Sequence, residues 1–360
     1  MRARRIRLRG TGPAALAAAR LLLDRGAEVV IDAPAPRKRR IVSVPMETLA
    51  LAAQLFGTNL RDLMAGIVVH ERRVDWSADG PATMPQLALV CDIGDLSAVL
   101  ARSLHGVAIA GDADGVDAGD DDADWIIDAT GRPAATGLRG GERVGYFARI
   151  DGAAPESMTS ITATKDGWIF TSPHPDGGLA VLLVAPSLAA ADPTPDGIAA
   201  WLERASRTIP AAAVVEVSRP EPIAPRLSSR LCDSNRLVAG DAALALDPLR
   251  GDGTGFALRG ALLAQAVVAA VEHRHDRSRC FSHYEKRVRC AFLGHLRGCS
   301  DHYRASRYPR IWEGDVAAMD ELAAQLDRGT ETFDLRLAGV DLVPMAATAV
   351  NAASIHAGAS

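Results

Sequence analysis

The stretch from Val238 to Leu258 constrains this chain most. A short apolar run ends at Gly240-Asp241, and a loop follows through Asp247-Pro248-Leu-Arg250. Gly251, Gly253 and Gly255 then fall on alternate positions around Thr254, opening an apolar helix that the pattern carries to about Val271. A strand that stops at a carboxylate can offer that acceptor to a chain of hydroxyls. Glycines at a helix start let a flat ring lie against the backbone, and the positive end of the helix favours an anionic edge there. Phosphate binding is the generic alternative for the same loop.

Two earlier turns repeat the theme. Arg5-Ile-Arg-Leu-Arg9 alternates, Gly10-Thr-Gly12-Pro13-Ala-Ala15 opens an Ala/Leu helix to about Arg25, and Glu28 to Ile31 reads as a second strand closing at Asp32. Within such a strand–turn–helix–strand unit the glycines admit a pyrophosphate, and an acid ending the second strand meets a ribose. Asp32 stands in that place, displaced by about a residue. The arginines at 5, 7 and 9 are unusual, since a buried parallel strand is normally apolar throughout. The other turn is Trp125-Ile-Ile-Asp128-Ala-Thr-Gly131-Arg132, which taken alone is an ordinary strand–loop boundary.

A chain of 360 residues holds one large domain or two ordinary ones. With 40 Lys+Arg against 44 Asp+Glu the net charge is −4, which suggests neither a nucleic-acid nor an acidic-membrane partner. Five cysteines without a CxxC pair argue against a disulfide framework or structural metal, so a cytoplasmic setting is expected. No membrane span is read, and Arg20, Asp24 and Arg25 interrupt the N-terminal apolar run too early for an export signal. From Val144 to about Pro186 four strands are expected at 144–150, 158–164, 168–173 and 179–185, forming an antiparallel sheet. Helices are expected at 46–56, 95–104, 196–208, 280–305 and 315–327, an acidic loop at 111–124, and an Ala-rich tail after Leu342.

In this order, GxGxxA, DATGR and GDAA…DP…GxGxGxA resemble the three FAD-contacting segments of the p-hydroxybenzoate-hydroxylase-like flavoproteins, over about residues 5–310. DATG, Ser43-Val-Pro45, Asp166-Gly167-Trp168-Ile-Phe170-x-x-Pro173 and His302-Tyr303 through Arg307-Tyr308 with Trp312 resemble the tryptophan-halogenase-like and geranylgeranyl-reductase-like branch. The nearest likeness is to flavoproteins that mature the quinone cofactor of cysteine-tryptophylquinone oxidases. This resemblance implies an α/β fold: a Rossmann-like FAD domain, an antiparallel-sheet substrate domain and C-terminal helices. The expected division is 1–139 and 230–285 for FAD, 140–229 for the substrate sheet and 286–360 for the helical region. It also implies FAD as cofactor, NAD(P)H as transient reductant and oxygen activation at flavin C4a. Gly10, Gly12, Pro13 and Ala15 would meet the diphosphate, with Arg40 a further candidate. Asp32 would meet the ribose and Asp241 the ribityl chain. Gly131 belongs to the middle segment, and Gly251, Gly253, Thr254 and Gly255 would carry the ring.

Halogenation is disfavoured. The halogen-carrying lysine of flavin halogenases has no counterpart but Lys38, and their W-x-W-x-I-P segment reads Trp168-Ile-Phe170-Thr-Ser-Pro173. An arginine common near the helix at 95 is replaced around Cys91-Asp92. Asp247 and His174 are the acid–base candidates, although His174 also reads as an exposed turn histidine. Tyr146, Trp168 and Phe170 are candidates for an aromatic substrate wall, the bland alternative being core packing. The expected function is hydroxylation of an aromatic group, either a small molecule or a tryptophan within a peptide or protein. A flavin reductase of an isoprenoid double bond and a degenerate non-catalytic scaffold are the rivals.

Overall fold

A computed structural model of the chain describes residues 4–33, 39–59, 66–104, 107–111, 122–132, 137–151, 157–187, 194–205, 214–327, 329 and 332–345. Arg37, Lys38, most of the acidic loop, residues 206–208 and the tail beyond 345 lie outside the described residues.

The first sheet has six strands: β1 (Arg5–Arg9), β2 (Glu28–Ala33), β6 (Ala108–Gly111), β7 (Trp125–Asp128), β16 (Cys232–Asp233) and β17 (Arg236–Val238). Their order is β16-β17-β7-β1-β2-β6, and every pair except β16/β17 is parallel. The helices α1 (Pro13–Leu23) and α5 (Gly253–Glu272) pack against each other beside it. Alternation along β1 explains its arginines. Ile6 and Leu8 are buried in the main core with Leu16 and Leu22 of α1, while Arg5, Arg7 and Arg9 turn to the opposite face. There Arg7 Nε donates to Asp32 Oδ2 at 2.6 Å, and Arg236 pairs with Asp128. Ion pairs thus occupy the face that a second apolar layer usually covers.

The second sheet has nine strands. It joins β3 (Ile41–Pro45), β4 (Ile67–Asp75) and β5 (Ala82–Asp92) to β10 (Met158–Thr164), β11 (Gly167–Pro173), β12 (Leu179–Ala185), β9 (Val144–Ile150) and β13 (Val214–Val217). β14 (Glu221–Pro222) also pairs with β9. Strands β3, β4 and β5, expected with the cofactor part, therefore extend the sheet of the substrate part. Register fixes the faces. Trp168 pairs with Val184 and Val184 with Gly145, whereas Ile169 pairs with Leu183 and Leu183 with Tyr146. Trp168, Phe170, Leu182 and Phe147 consequently share the inner face. Tyr146, Ile169 and Leu183 lie on the outer face under Ile198, Trp201 and Leu202 of α4 (Pro195–Ala205).

Three short strands, β8 (Gly137–Arg139), β15 (Arg226–Ser228) and β18 (Leu244–Ala245), bridge the two large sheets. The remaining helices are α2 (Met46–Phe56), α3 (Ile93–Arg102), α6 (Arg277–Arg304) and α7 (Glu313–Leu326), and a hairpin of β19 (Leu335–Ala338) and β20 (Asp341–Pro344) follows them. α5 is twenty residues long and apolar enough to cross a membrane, but Ala261, Ala264, Ala266 and Val267 are fully buried, so it is a core helix here.

Candidate cofactor and substrate site

The three glycine turns meet. Gly10 has φ +108°, and a Cβ there would fall 2.5 Å from the Ala129 carbonyl oxygen of the middle segment. Gly240 has φ +60°, and its Cβ would fall 2.7 Å from Cβ of Ala14 and 4.0 Å from Cβ of Ala257. Buried Ala14, Ala15, Ala129 and Ala257 form one small cluster between the turns. No side chain larger than hydrogen or methyl separates these backbones, which is why the sequence spends Gly and Ala there.

What the turns leave beside them is open. A Cβ on Gly12 or Gly253 would meet nothing within 4 Å. Gly12 is the N-cap of α1, which has Pro13 in its first turn, and Asp252 precedes α5; neither helix has a side-chain cap or an acid in its first turn. By contrast Asp92 caps α3 and Asp276 caps α6. Two helix starts with unspent N–H groups are suited to an anion, the one nearby carboxylate, Asp252 before α5, being paired with Arg259. Thr48 of α2 adds a second mark: its Oγ1 is buried without a hydrogen-bond partner, and a Cβ on Gly255 would lie 2.7 Å from it. A bound polar group at this point would satisfy a hydroxyl that the protein leaves orphaned. The residues present therefore fit an elongated, anionic cofactor such as FAD.

Other expected contacts are arranged around that groove. Asp32 is held by Arg7. Asp241 sits half-buried on the short 3-10 turn Gly240–Ala242, and its charge partly offsets the burial that lowers the Arg132 pKa. Arg132 follows Gly131 and donates to the carbonyls of Ile223 and Leu246, tying the middle turn to the bridging strands. Arg40 differs from its expected diphosphate role: its guanidinium pairs with Glu221 and lies 4.4 Å over the Phe147 ring. Its N–H donates to Asp92 Oδ2 at 3.1 Å, and Arg39 reaches the same carboxylate at 3.3 Å. The 39–40 segment thus brings arginines to the place where the helix at 93 has none.

Asp247 is enclosed rather than presented to a substrate. Its side chain is 0% exposed and receives Arg143 Nε at 2.8 Å and Tyr303 Oη at 3.1 Å, while Oδ1 accepts the Leu249 N–H at 2.9 Å. Arg143, also 0% exposed, donates to Asp315 of α7 at 2.7 Å. Burial pushes the Asp315 carboxyl up, with Arg143 opposing it. The Asp247 N–H donates to His295 Nε2 at 2.8 Å, and burial pushes that imidazole down to about 4, so it is neutral. Trp168 Nε1 donates to Tyr303 Oη at 3.1 Å. The acid–base expectation for Asp247 is corrected accordingly: the carboxylate hangs the Pro248–Gly255 loop from a buried ionic network and has no open side.

The aromatic expectation divides. Trp168 is 1% exposed and packs in the main core, Phe170 is half-buried on the same inner face, and Tyr146 is on the outer face. Tyr146 cannot belong to one wall with them because it is an odd step away in register; its buried Oη has no partner. His174, expected to be exposed, is 8% exposed in the turn after β11, where Nδ1 accepts the Asp176 N–H at 3.1 Å. Burial and Arg149 lower its pKa. Six residues of extended chain, roughly 20 Å, separate it from Trp168, so it and Asp247 do not form a pair. Thr48, Arg72, Arg143 and His295 were missed by the motif reading because each is isolated in sequence; Arg143 and Thr48 gave no signal beyond their residue type.

No family model matches the chain, and no curated protein matches it. Solved structures do. The chain is similar to QhpG, a peptidyl tryptophan dihydroxylase essential for tryptophylquinone cofactor biogenesis, at 22% identity and TM-score 0.76, covering 96% of this chain and 86% of that one. It is similar to the flavin-dependent halogenase CmlS at 18% identity and TM-score 0.73, with 89% and 70% covered. It is also similar to PqsL of P. aeruginosa, solved in complex with 2-aminobenzoylacetate, at 14% identity and TM-score 0.67, with 87% and 100% covered. At such identities the likeness is one of architecture, and this chain has the fold of the FAD-dependent monooxygenases and flavin-dependent halogenases.

Proposed function

We propose that this chain is an FAD-dependent monooxygenase that hydroxylates an aromatic ring, either a tryptophan side chain in a peptide or a small aromatic molecule. The observation that carries the reading is the meeting of three glycine turns beside two open, uncapped helix starts. Gly10, Gly12, Pro13 and Ala15 hold the diphosphate, Asp32 the ribose and Asp241 the ribityl hydroxyls. Gly251, Gly253, Thr254 and Gly255 carry the ring, with Gly131 lining the middle. In this reading residues 1–139 and 230–285 bind the cofactor, except that strands β3, β4 and β5 join 140–229 in covering its ring, and 286–360 brace both.

Bound and reduced by NAD(P)H, the flavin supplies the oxygen activation. The chain's own residues orient and seal. Asp247, Arg143 and Tyr303 fix the ring-bearing loop against the inner sheet face, where Trp168 is locked by its hydrogen bond and Phe170 offers a flat apolar surface. A dry, rigid wall of this kind keeps water from the reacting centre. Halogen transfer is not favoured: the only described lysines are Lys165, in the turn before β11, and Lys286, on α6, and neither is at these turns.

The test is to load purified protein with FAD, supply NADH or NADPH, and offer tryptophan-containing peptides and small aromatic acids. Oxygen uptake with a product heavier by oxygen supports the reading. A product formed without oxygen points to the reductase, and protein that takes up no FAD points to a scaffold.

A further inference from the structure

Arg72 stands out on the inner face of the second sheet. Its Nε donates to Thr159 Oγ1 at 3.3 Å, and Thr159 donates in turn to Gln86 at 3.0 Å. Its two terminal nitrogens have no ion pair or hydrogen bond among the described residues. They are aimed at the ring-bearing loop: a Cβ on Gly251 would lie 3.8 and 4.0 Å from them. The residue is half-buried, and burial alone lowers its pKa. Most other described arginines that are as well covered find a carboxylate, as Arg7, Arg40, Arg143 and Arg307 do. Arg250, the residue before Gly251, lies against Gly298 of α6 and is likewise without an acid partner among the described residues.

Register tells which side Arg72 serves. It pairs with Thr159 of β10, and Ile161, two residues on, pairs with Phe170 of β11. Residues two apart share a face, so Arg72 and Phe170 look the same way, two strand spacings across and two residues along, about 12 Å apart. The flavin's anionic edge already has the start of α5. A forked, half-desolvated guanidinium facing the same space is a bidentate receptor for a carboxylate.

We propose that Arg72 anchors a carboxylate of the substrate while the aromatic ring to be oxidised rests near Phe170. The inference rests on the flavin reading above and narrows its substrate class to aromatic compounds carrying an acid. That acid is either their own carboxylate or an Asp or Glu within about four residues of a target tryptophan in an extended peptide.

The test compares wild type, Arg72→Gln and Arg72→Lys. FAD affinity is read by flavin fluorescence. Binding of indole-3-acetate, neutral indole, and tryptophan peptides bearing Glu or Gln three residues away is read by calorimetry, with and without FAD. Expected is at least tenfold weaker binding of the acids to Arg72→Gln, partial recovery in Arg72→Lys, unchanged indole binding and FAD affinity within twofold. Whether the free acid or the Glu peptide responds identifies the source of the carboxylate. The proposal is overturned if neither acid binds wild type, if Arg72→Gln binds them as well as wild type does, or if FAD affinity falls in step. Failure of wild type to take up FAD would sink the flavin reading instead, and calorimetry without FAD would still decide Arg72.

Discussion

Replacing Asp247 by Asn separates a structural carboxylate from an acid–base one. Asn keeps the shape, but its one oxygen can accept at only one of the two positions that take Arg143 Nε and the Leu249 N–H, and it removes one of two negative charges on a guanidinium that is 0% exposed. Breaking a buried pair from one side costs about 3–5 kcal/mol. Because Asp315 stays in place at 2.7 Å, we expect the lower end, about 3 kcal/mol. Urea unfolding of the flavin-free protein at neutral pH reads it directly. Arg143→Met is run alongside, and the double variant should lose less than the sum by at least about 1.5 kcal/mol, since the two side chains share one network. FAD uptake should weaken in both single variants, because the loop they hang is the one that carries the ring. An Asp247→Asn protein that keeps its stability to within about 1 kcal/mol, binds FAD normally and loses only turnover would refute this reasoning.

Thr48→Val removes an orphaned buried hydroxyl, so the flavin-free protein should be unchanged or stabler by about 1 kcal/mol while FAD binds several-fold more weakly. Tyr146→Phe removes another, on the outer face, and should stabilise by a similar amount with no change in substrate KM; a raised KM would put Tyr146 back at the site. His295 is neutral in the fold, with its pKa near 4 against about 6.5 when unfolded. The unfolded chain therefore binds the proton first, and stability present above pH 6.5 is lost as pH falls toward 4, by about 3 kcal/mol for this residue. His283, also pushed down to about 4 by burial, adds a second part. Urea titrations across that range should show the loss shrink in His295→Gln.

The glycine turns were legible because their chemistry is local: a motif of three to six residues specifies a backbone that only small residues can follow. Gly10, Gly240 and the Gly251–Gly255 run could be read without knowing what faced them. The strands β9 to β12 showed themselves through alternation and the Asp166-Gly167 and Asp176-Gly177-Gly178 turns. β4 and β5 did not, since His70-Glu-Arg-Arg73 is polar on both faces; β4 is placed in the second sheet by pairing with β10 across more than eighty residues of chain, and β5 by pairing with β4. The hairpin β19/β20 was hidden by the Ala-rich tail beside it. Tyr146 was misplaced because sharing a sheet was taken as sharing a face, and register depends on partners that sequence does not name. Asp247 was singled out by its motif, but its surroundings are set by Arg143, Tyr303 and His295, which lie 104, 56 and 48 residues away.

The central claim is that the open space beside Gly12 and Gly253 belongs to one FAD. Ala at either position meets no protein atom within 4 Å and needs no unusual backbone, so the flavin-free fold should tolerate it. Titrating FAD into wild type, Gly12→Ala and Gly253→Ala, with circular dichroism to verify the fold, is the most direct measurement. The expected result is one FAD per chain for wild type and an affinity at least tenfold lower in each variant. Equal affinity in well-folded variants, or no uptake by wild type, would contradict it.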